Sequence, residues 1–435
     1  MAHTVALVSL GCAKNQVNSE QMLWKLEKEG YALTGDAAQA DTVIINTCAF
    51  IDSAKEEAID AILEYSALGG KKVIVAGCLA QRYREEILAE LPEVDNLVGC
   101  GSFDDICRAV EMAWEGNREG VFGDIDAPVS ESGRITDCSR GWAYLRIAEG
   151  CSNRCAYCII PKLRGKYRSR PMENVLREAR SLADQGAKEL IVVAQDITRY
   201  GTDLYGRPSL SRLIRLLAKT EGTEWIRLHY LYPDMIDDEL IRTVAEEPKV
   251  VKYLDIPIQH INDGILRAMN RRGSAEEIER LIEKLRKEIP GVVIRTSLIT
   301  GLPGEGEKEF EELCNFLKRT RLERAGVFAF SPQEGTPAYD MDRPASETAQ
   351  RRAELLADIQ SRIMDEFNES RVGGEAKVLA EEYDAENGCW YGRSEADSPD
   401  VDGRVAFTGD GVAAGEFYTV RITGTVGGDL TGELI

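Results

Sequence analysis

The stretch Cys151-Ser-Asn-Arg-Cys155-Ala-Tyr-Cys158-Ile-Ile-Pro161 puts three thiols within eight residues, directly after the apolar run Trp142 to Ile147. Because a chain reaches at most about 3.5 Å per residue, one small object can take all three sulfurs. The spacing C-x3-C-x2-C speaks against zinc, whose sites usually pair C-x2-C units and close with a fourth Cys or His. No histidine lies nearby, and no fourth cysteine stands at zinc-finger distance. A cubane iron-sulfur cluster on three thiolates would keep one iron without a protein ligand, open to bind and activate a cofactor. Cys151, Cys155 and Cys158 are therefore candidate catalytic cluster ligands, with a structural zinc site or three buried cysteines as the alternatives.

Downstream, strand candidates recur at 142–148, 189–194, 225–230, 251–257, 291–298 and 325–331, separated by helical patterns such as Met172 to Gln185 and Ala275 to Lys287. Six β/α repeats predict a partial TIM-like (β/α)6 barrel, a fold whose chemistry sits at the carboxyl ends of its strands. Those ends are polar here: Gln195-Asp196, His229, Gln259-His260, Thr296-Ser297 and Ser331. Gln195 and Gln259 are candidate cofactor or substrate contacts, while His260 serves equally well as a hydrogen-bonded residue at the core edge. Charged faces such as Glu276 to Arg286 read as solvated surface.

Upstream, Val5 to Val8, Thr42 to Ile45 and Lys72 to Val75 are short, β-branched and continuous, which suits strands covered on both faces. Amphipathic stretches, Ser19 to Glu29 and Ser53 to Leu63, lie between them, giving a doubly wound parallel sheet. Each strand leads into a cysteine: Leu10-Gly11-Cys12, Asn46-Thr47-Cys48 and Ala76-Gly77-Cys78. A parallel sheet gathers all three at its carboxyl edge, so Cys12, Cys48 and Cys78 form a second candidate three-thiolate site. The competing explanation is that cysteine is a common small buried residue. Cys100, Cys107, Cys138, Cys314 and Cys389 show no such pattern and are assigned to packing.

The predicted fold is thus α/β, with an N-terminal doubly wound parallel sheet (1–114), a linker or short hairpin (115–138), a central partial barrel (139–371) and a small C-terminal all-β barrel (372–435). The charged stretch Pro344 to Arg371 reads as a helix or helix pair closing the central barrel, and short alternating runs with glycine turns define the last domain.

Composition narrows the function. At 435 residues and 43% hydrophobic, the chain can bury substantial cores in two to four domains. No apolar run approaches the ~20 residues of a membrane span, and no signal peptide is visible, so a cytoplasmic location without a membrane partner is expected. Eleven cysteines in that compartment point to reduced thiols used as ligands. A formal charge of -21 disfavours nucleic acid as a partner, because phosphate binding is driven by lysine and arginine. Residues 372–435 hold 4 Lys and Arg against 13 Asp and Glu, a net of -9 that suits a basic protein. Against this background Lys162, Arg164, Lys166, Arg168 and Arg170 place five positive charges in nine residues. Arg164, Arg168 and Arg170 are candidate receptors for an anionic substrate group, unless the loop is simply solvated.

The motif C-x3-C-x2-C after a strand resembles the radical S-adenosylmethionine superfamily. The longer string Glu149-Gly150-Cys151 through Arg164-Gly165, then Ser169-Arg170-Pro171, resembles its methylthiotransferases, and the C-terminal barrel is similar to a TRAM domain. The resemblance covers essentially the whole chain. It implies that Cys151, Cys155 and Cys158 hold a 4Fe-4S cluster whose open iron chelates S-adenosylmethionine, and that one electron then yields a 5'-deoxyadenosyl radical. It implies as well that Cys12, Cys48 and Cys78 hold an auxiliary 4Fe-4S cluster at which the incoming sulfur is methylated, so that two 4Fe-4S clusters and S-adenosylmethionine are expected. Gly301-Leu-Pro-Gly304-Glu305 resembles the family's segment beside the adenine, which makes Gly301 and Gly304 candidate cofactor contacts; a helix-entry turn explains them equally well.

Val193-Ala-Gln-Asp196 with Arg199-Tyr-Gly201, and Phe330-Ser-Pro-Gln-Glu334-Gly-Thr-Pro337, resemble the RimO branch, whereas the tRNA branch usually has Asn where Asp196 stands. The implied reaction is methylthio insertion at the β-carbon of an aspartate in small-subunit ribosomal protein S-twelve, docked by the acidic barrel and served by an electron donor and a sulfur donor. Adenosine of tRNA is the alternative substrate. A non-catalytic iron-sulfur or zinc adaptor is the alternative of another class.

Overall fold

The computed structural model describes residues 3–435 and shows two compact units. The first consists of the chain through Thr136 together with Ala148–Arg170 and Ser331–Tyr339. Its sheet holds β1 (Thr4–Ser9), β2 (Ala32–Leu33), β3 (Thr42–Thr47), β4 (Lys72–Gly77) and β5 (Asn96–Val98) in the order 2-1-3-4-5, every neighbouring pair parallel. The β-branched runs are covered on both sides, as their lack of alternation predicts. Val43, Ile45 and Val75 pack with Ala58 and Ile62 of helix Asp52–Ala67, whereas Val5, Ile44 and Ile74 pack with Met22, Leu26 and Val110 of helices Ala13–Lys28 and Ile106–Trp114. With this strand order the chain reverses its winding between β1 and β3, which opens a crevice at their carboxyl ends, the usual ligand position in open α/β sheets.

The stretch expected as a linker is docked on this unit. Val121 joins the edge of β5, donating its N–H to Leu97 O (2.7 Å) and accepting from Gly99 N–H (2.9 Å). Farther along, Arg134 Nε and Thr136 Oγ1 both donate to the Glu20 carboxylate at 2.9 Å. Composition does not reveal such docking, because the contacts are made by backbone and by widely spaced polar residues.

In the second unit β6 (Trp142–Arg146), β7 (Glu189–Val193), β8 (Trp225–Leu228), β9 (Val250–Asp255), β10 (Val293–Thr300) and β11 (Arg324–Ala329) form one parallel sheet in chain order, the expected partial barrel. A single helix, Ser346–Glu369, packs on its last strands, with Gln360 Nε2 donating to Leu322 O at 3.0 Å. Beyond it β12 (Glu375–Asp384), β13 (Cys389–Ser394), β14 (Val405–Thr408), β15 (Phe417–Val426) and β16 (Asp429–Leu434) close a barrel in the order 12-13-14-16-15 around Val378, Val405, Phe407, Val420 and Leu430. Strand β16 was not expected, since Asp429-Leu-Thr-Gly-Glu-Leu434 carries little alternation. Barrel closure supplies its stability by pairing the edges of β14 and β15.

The small barrel is fastened to the parallel sheet by buried ion pairs. Glu189 receives Arg227 Nε at 2.6 Å and Arg393 Nη2 at 2.7 Å, and Arg324 Nη2 lies 2.7 Å from Asp397 Oδ1. His229 Nε2 meets Ser398 Oγ at 2.8 Å, and Tyr253 donates to Asp402 at 2.6 Å. Among the described residues no helix is long and apolar enough to cross a membrane.

Candidate cluster-binding site

Cys12, Cys48 and Cys78 each follow the carboxyl end of a strand, β1, β3 and β4, at the switch-point crevice. Gly11 has φ +89°, and a β-carbon there would stand 2.7 Å from Cys48 Cβ, so two thiol-bearing turns approach each other across a position that only glycine fits. Burial first, then the neighbouring thiols of Cys78 and Cys12, push the Cys48 thiol up to about 12. Neighbouring sulfurs repel one another as bare thiolates; an electropositive iron centre would relieve that repulsion and hold them deprotonated. The donor set therefore fits a thiolate-bound cluster. No group of three or more His, Cys, Asp or Glu side chains is gathered to hold a single metal ion among the described residues. A cubane binds its thiolates on separate iron corners and does not need that closeness.

A fourth thiol stands at this edge. Cys100 follows β5, and its Sγ lies 3.9 Å from Cys78 Sγ. That hydrogen bond, acting with Arg164 against burial, lowers the Cys78 thiol; the same bond and burial together raise Cys100, with Arg164 opposing them. Cys100 thus departs from the packing role expected of it, and Val98-Gly99-Cys100 repeats the strand-Gly-Cys pattern of Leu10-Gly11-Cys12 and Ala76-Gly77-Cys78, the signal in the sequence that marks it.

The loop of Cys151, Cys155 and Cys158 belongs to the same compact unit. It is closed by the antiparallel pair Ala148–Glu149 and Arg168–Ser169 and by the short helix Ile160–Arg164. Cys151 N–H donates to Gly165 O and Cys158 N–H to Cys155 O, both at 3.1 Å. Between the first two thiols Arg154 holds a left-handed φ of +53°, a strained conformation for a non-glycine residue. Ile159 and Leu163 share one apolar cluster with Cys78 and Leu79. The segment Ser331–Tyr339 is stitched to both cysteine turns: Arg82 Nη1 donates to Ala49 O (3.0 Å) and to Gln333 Oε1 (2.5 Å), and Ala338 N–H donates to Ala156 O (2.9 Å).

The basic run differs from expectation. Arg164 and Arg170 are 3% exposed and Arg168 is half-buried. Arg164 Nη1 donates to Glu149 Oε2 (3.1 Å), Arg170 pairs with Glu131 (2.5 Å), and Arg168 lies 3.7 Å from Asp126. Their charges are met by carboxylates within the fold, which corrects the reading of these three as a surface for an anionic substrate.

In the second unit Gln195 follows β7, and Gln259 bridges the ends of β9 and β10, its N–H on Ser297 O (2.8 Å) and its carbonyl receiving Ile299 N–H (2.7 Å). Gln259 and Tyr230 adopt left-handed φ of +74° and +64° at these strand ends, and no sequence signal marks either. Gly301 has φ +76° and faces the helix Ser346–Glu369: a β-carbon would meet Ala349 Cβ at 2.2 Å. Gly304, φ +85°, lies in the same turn with room around it. His260 is buried, with Nε2 3.3 Å from Glu305 Oε2 and Nδ1 accepting from Asn262 N–H at 3.0 Å, while Glu305 also pairs with Arg352 at 2.8 Å. Buried Asp196 accepts from Thr198 N–H (3.0 Å) and lies 3.1 Å from Arg199 Nε.

Comparisons with known proteins agree with this architecture. The radical SAM superfamily matches residues 145–317, the uncharacterized protein family UPF0004 residues 4–99, and the TRAM domain residues 372–435. A curated relative from Acetivibrio thermocellus, ribosomal protein uS12 methylthiotransferase RimO, is 45% identical over 100% of this chain and 99% of its own. Another of the same name, from Geobacter sulfurreducens, is 47% identical over 99% and 98%. Among solved structures, the radical S-adenosylmethionine methyltransferase TsrM from Kitasatospora setae, with cobalamin and a [4Fe-4S] cluster bound, superposes with a TM-score of 0.59 at 17% identity, over 78% of this chain and 77% of that one. That likeness is one of fold. Radical SAM membership implies a 4Fe-4S cluster and S-adenosylmethionine as cofactors. With full-length identity far above chance and all three domain families in order, the chain belongs to the RimO family of radical S-adenosylmethionine methylthiotransferases.

Proposed function

We propose that this enzyme inserts a methylthio group at the β-carbon of an aspartate in ribosomal protein uS12, with Cys151, Cys155 and Cys158 holding the radical-generating cluster and Cys12, Cys48 and Cys78 an auxiliary one. The observation that carries the reading is that both cysteine triplets belong to one compact unit, their turns stitched together by Arg164 and Ser331–Tyr339. When bound, the clusters and S-adenosylmethionine supply the electron, the carbon-centred oxidant and the methylthio group, chemistry that no side-chain acid or base can provide. The chain's own part is to hold the six thiolates, of which Cys78 and Cys155 are buried and the other four half-buried, and to present Gln195, Gln259, Gly301 and Gly304 as cofactor contacts at the strand ends. An external electron donor and a sulfur donor complete the reaction.

The four-part division at 114, 138 and 371 serves as the functional division, supported by the ranges of the three family matches. Docking of uS12 falls to the acidic barrel, where eight of the thirteen carboxylates are exposed, three of them, Glu375, Glu382 and Glu416, beside Arg421, Arg140 and Lys188 of this chain. Anaerobic reconstitution should load about eight irons per chain, as two 4Fe-4S clusters require. Mass spectrometry of uS12 and of digested tRNA after incubation then decides the substrate: methylthio mass on uS12 is expected, and methylthio mass on adenosine alone overturns the proposal. Cys155→Ala should abolish cleavage of S-adenosylmethionine. Cys48→Ala should spare cleavage and lose methylthio insertion, and full methylthiolation by that variant would reject the auxiliary role.

A further inference from the structure

Arg164, six residues after Cys158, reaches two other segments from a fully buried position. Its guanidinium donates to Asn15 Oδ1 and Asn18 Oδ1 (3.0 Å) on helix Ala13–Lys28, and to Glu149 Oε2 (3.1 Å), two residues before Cys151. Asn15 extends the connection, because its Nδ2 donates to Leu10 O (3.0 Å) and Thr47 O (2.9 Å), carbonyls just ahead of Cys12 and Cys48. Glu149 closes it on the other side, its Oε1 accepting from Gly150 N–H at 3.1 Å. Leu163, the neighbour of Arg164, packs in the cluster that contains Cys78. One side chain thus ties the turns of the strand-end thiols to the loop of the other triplet.

Stability alone does not account for this arrangement, since a buried ion pair is often no better than two apolar side chains of the same volume. What Arg164 adds is a fixed positive charge that acts on the Cys78 sulfur, opposed by the negative charge of Glu149, in a medium where charge is poorly screened. A cluster gains negative charge on reduction, so a neighbouring cation favours the reduced form and a neighbouring anion opposes it.

We propose that Arg164 is a positioning residue for methylthio transfer: it locks the Cys151–Cys158 loop onto the strand ends bearing Cys12 and Cys48 and raises the reduction potential of the cluster those residues hold with Cys78. This rests on the two-cluster reading. Glu149 works in the opposite sense, and that opposition gives the test.

The measurement is a spectroscopically monitored redox titration, with iron content, of the full chain carrying Ala at 151, 155 and 158, so that only the auxiliary cluster reports. That background should bind about four irons, one 4Fe-4S cluster; failure to bind them removes the two-cluster reading and this proposal together. On the loaded background, Arg164→Gln should move the potential to a more negative value and Glu149→Gln to a more positive one. A residue that only packs the loop would not produce shifts of opposite sign. Shifts of the same sign, or none, overturn the role of Arg164 and leave the two-cluster reading standing. If Arg164→Gln does not fold, Glu149→Gln decides alone: a positive shift supports the proposal, and no shift or a negative one overturns it.

Discussion

At position 11 any side chain would collide with the β-carbon of Cys48, and the backbone there is left-handed. Gly11→Ala should therefore destabilise the turn by about 1–3 kcal/mol and displace Cys48. The expected result is a fall in bound iron from about eight towards about four per chain, one 4Fe-4S cluster being lost, with S-adenosylmethionine cleavage retained; unchanged iron would show that the two turns tolerate separation. Residues of this kind divide by legibility. The spacing of Cys151, Cys155 and Cys158 is visible in sequence because the thiols are close along the chain, and Cys12, Cys48 and Cys78 are visible once the strands are recognised. The destinations of Arg164 and Arg170 are not, since a basic run reads the same whether it points to solvent or turns inward to carboxylates elsewhere in the chain, as Arg164 does to buried Glu149 and Arg170 to Glu131.

Elements were legible to the extent that one segment carries its own pattern. The β-branched runs of β1, β3 and β4 show their double burial, and the parallel strands of the second unit are found near their expected positions. Strand β16 is held by pairing with β15 across the Gly427-Gly428 turn and with β14, without an alternation of its own, and the docked stretch after Trp114 depends on partners far along the chain, such as Glu20 for Arg134, so no local period marks either. In the turn after β10, packing makes its own demand on a residue proposed as a cofactor contact. Gly301 lets the helix Ser346–Glu369 approach, with Thr300 Oγ1 donating to Ala349 O at 2.9 Å and Gly301 N–H to Glu305 Oε1 at 2.9 Å. Gly301→Ala should lower stability by about 1–3 kcal/mol through overpacking, read as a lower Tm. Gly304→Ala, with a contact no closer than 3.6 Å, meets only the backbone penalty and should lower Tm less. Equal effects would show that the helix can shift to accommodate a methyl group.

For the molecule as a whole, charge has two separate uses. The acidic surface of the small barrel faces solvent, so the docking of uS12 proposed for it should weaken as salt rises, as expected for exposed charges, and binding unchanged by salt would place the docking elsewhere. Inside the second unit the carboxylates instead join that barrel to the parallel sheet. Burial by itself would raise the Glu189 carboxyl, but Arg227 and Arg393 outweigh it and hold the group below its ordinary value; Arg324 and Arg371 do the same for buried Asp397. A depressed folded-state value means that each carboxylate binds its proton more readily in the unfolded chain. The stability they contribute is then fully present above the ordinary values of 4.5 and 3.8, and is lost as pH falls through the lower folded values. Acid should thus loosen the second unit below about pH 4.5. Glu189→Ala removes the partner of two buried guanidiniums, of which Arg393 keeps Glu381 at 2.7 Å. Its expected cost is about 3–5 kcal/mol, read as a lower denaturant midpoint at neutral pH. Because the group that takes up the proton is gone, the variant should also show a shallower loss of stability between pH 5 and pH 3, the range set by the ordinary carboxylate values. A midpoint and an acid slope both equal to those of the unsubstituted chain would show that the barrel is held to the sheet by its apolar contacts, such as Trp225 edge-on to Phe417 at 4.6 Å, and not by charge.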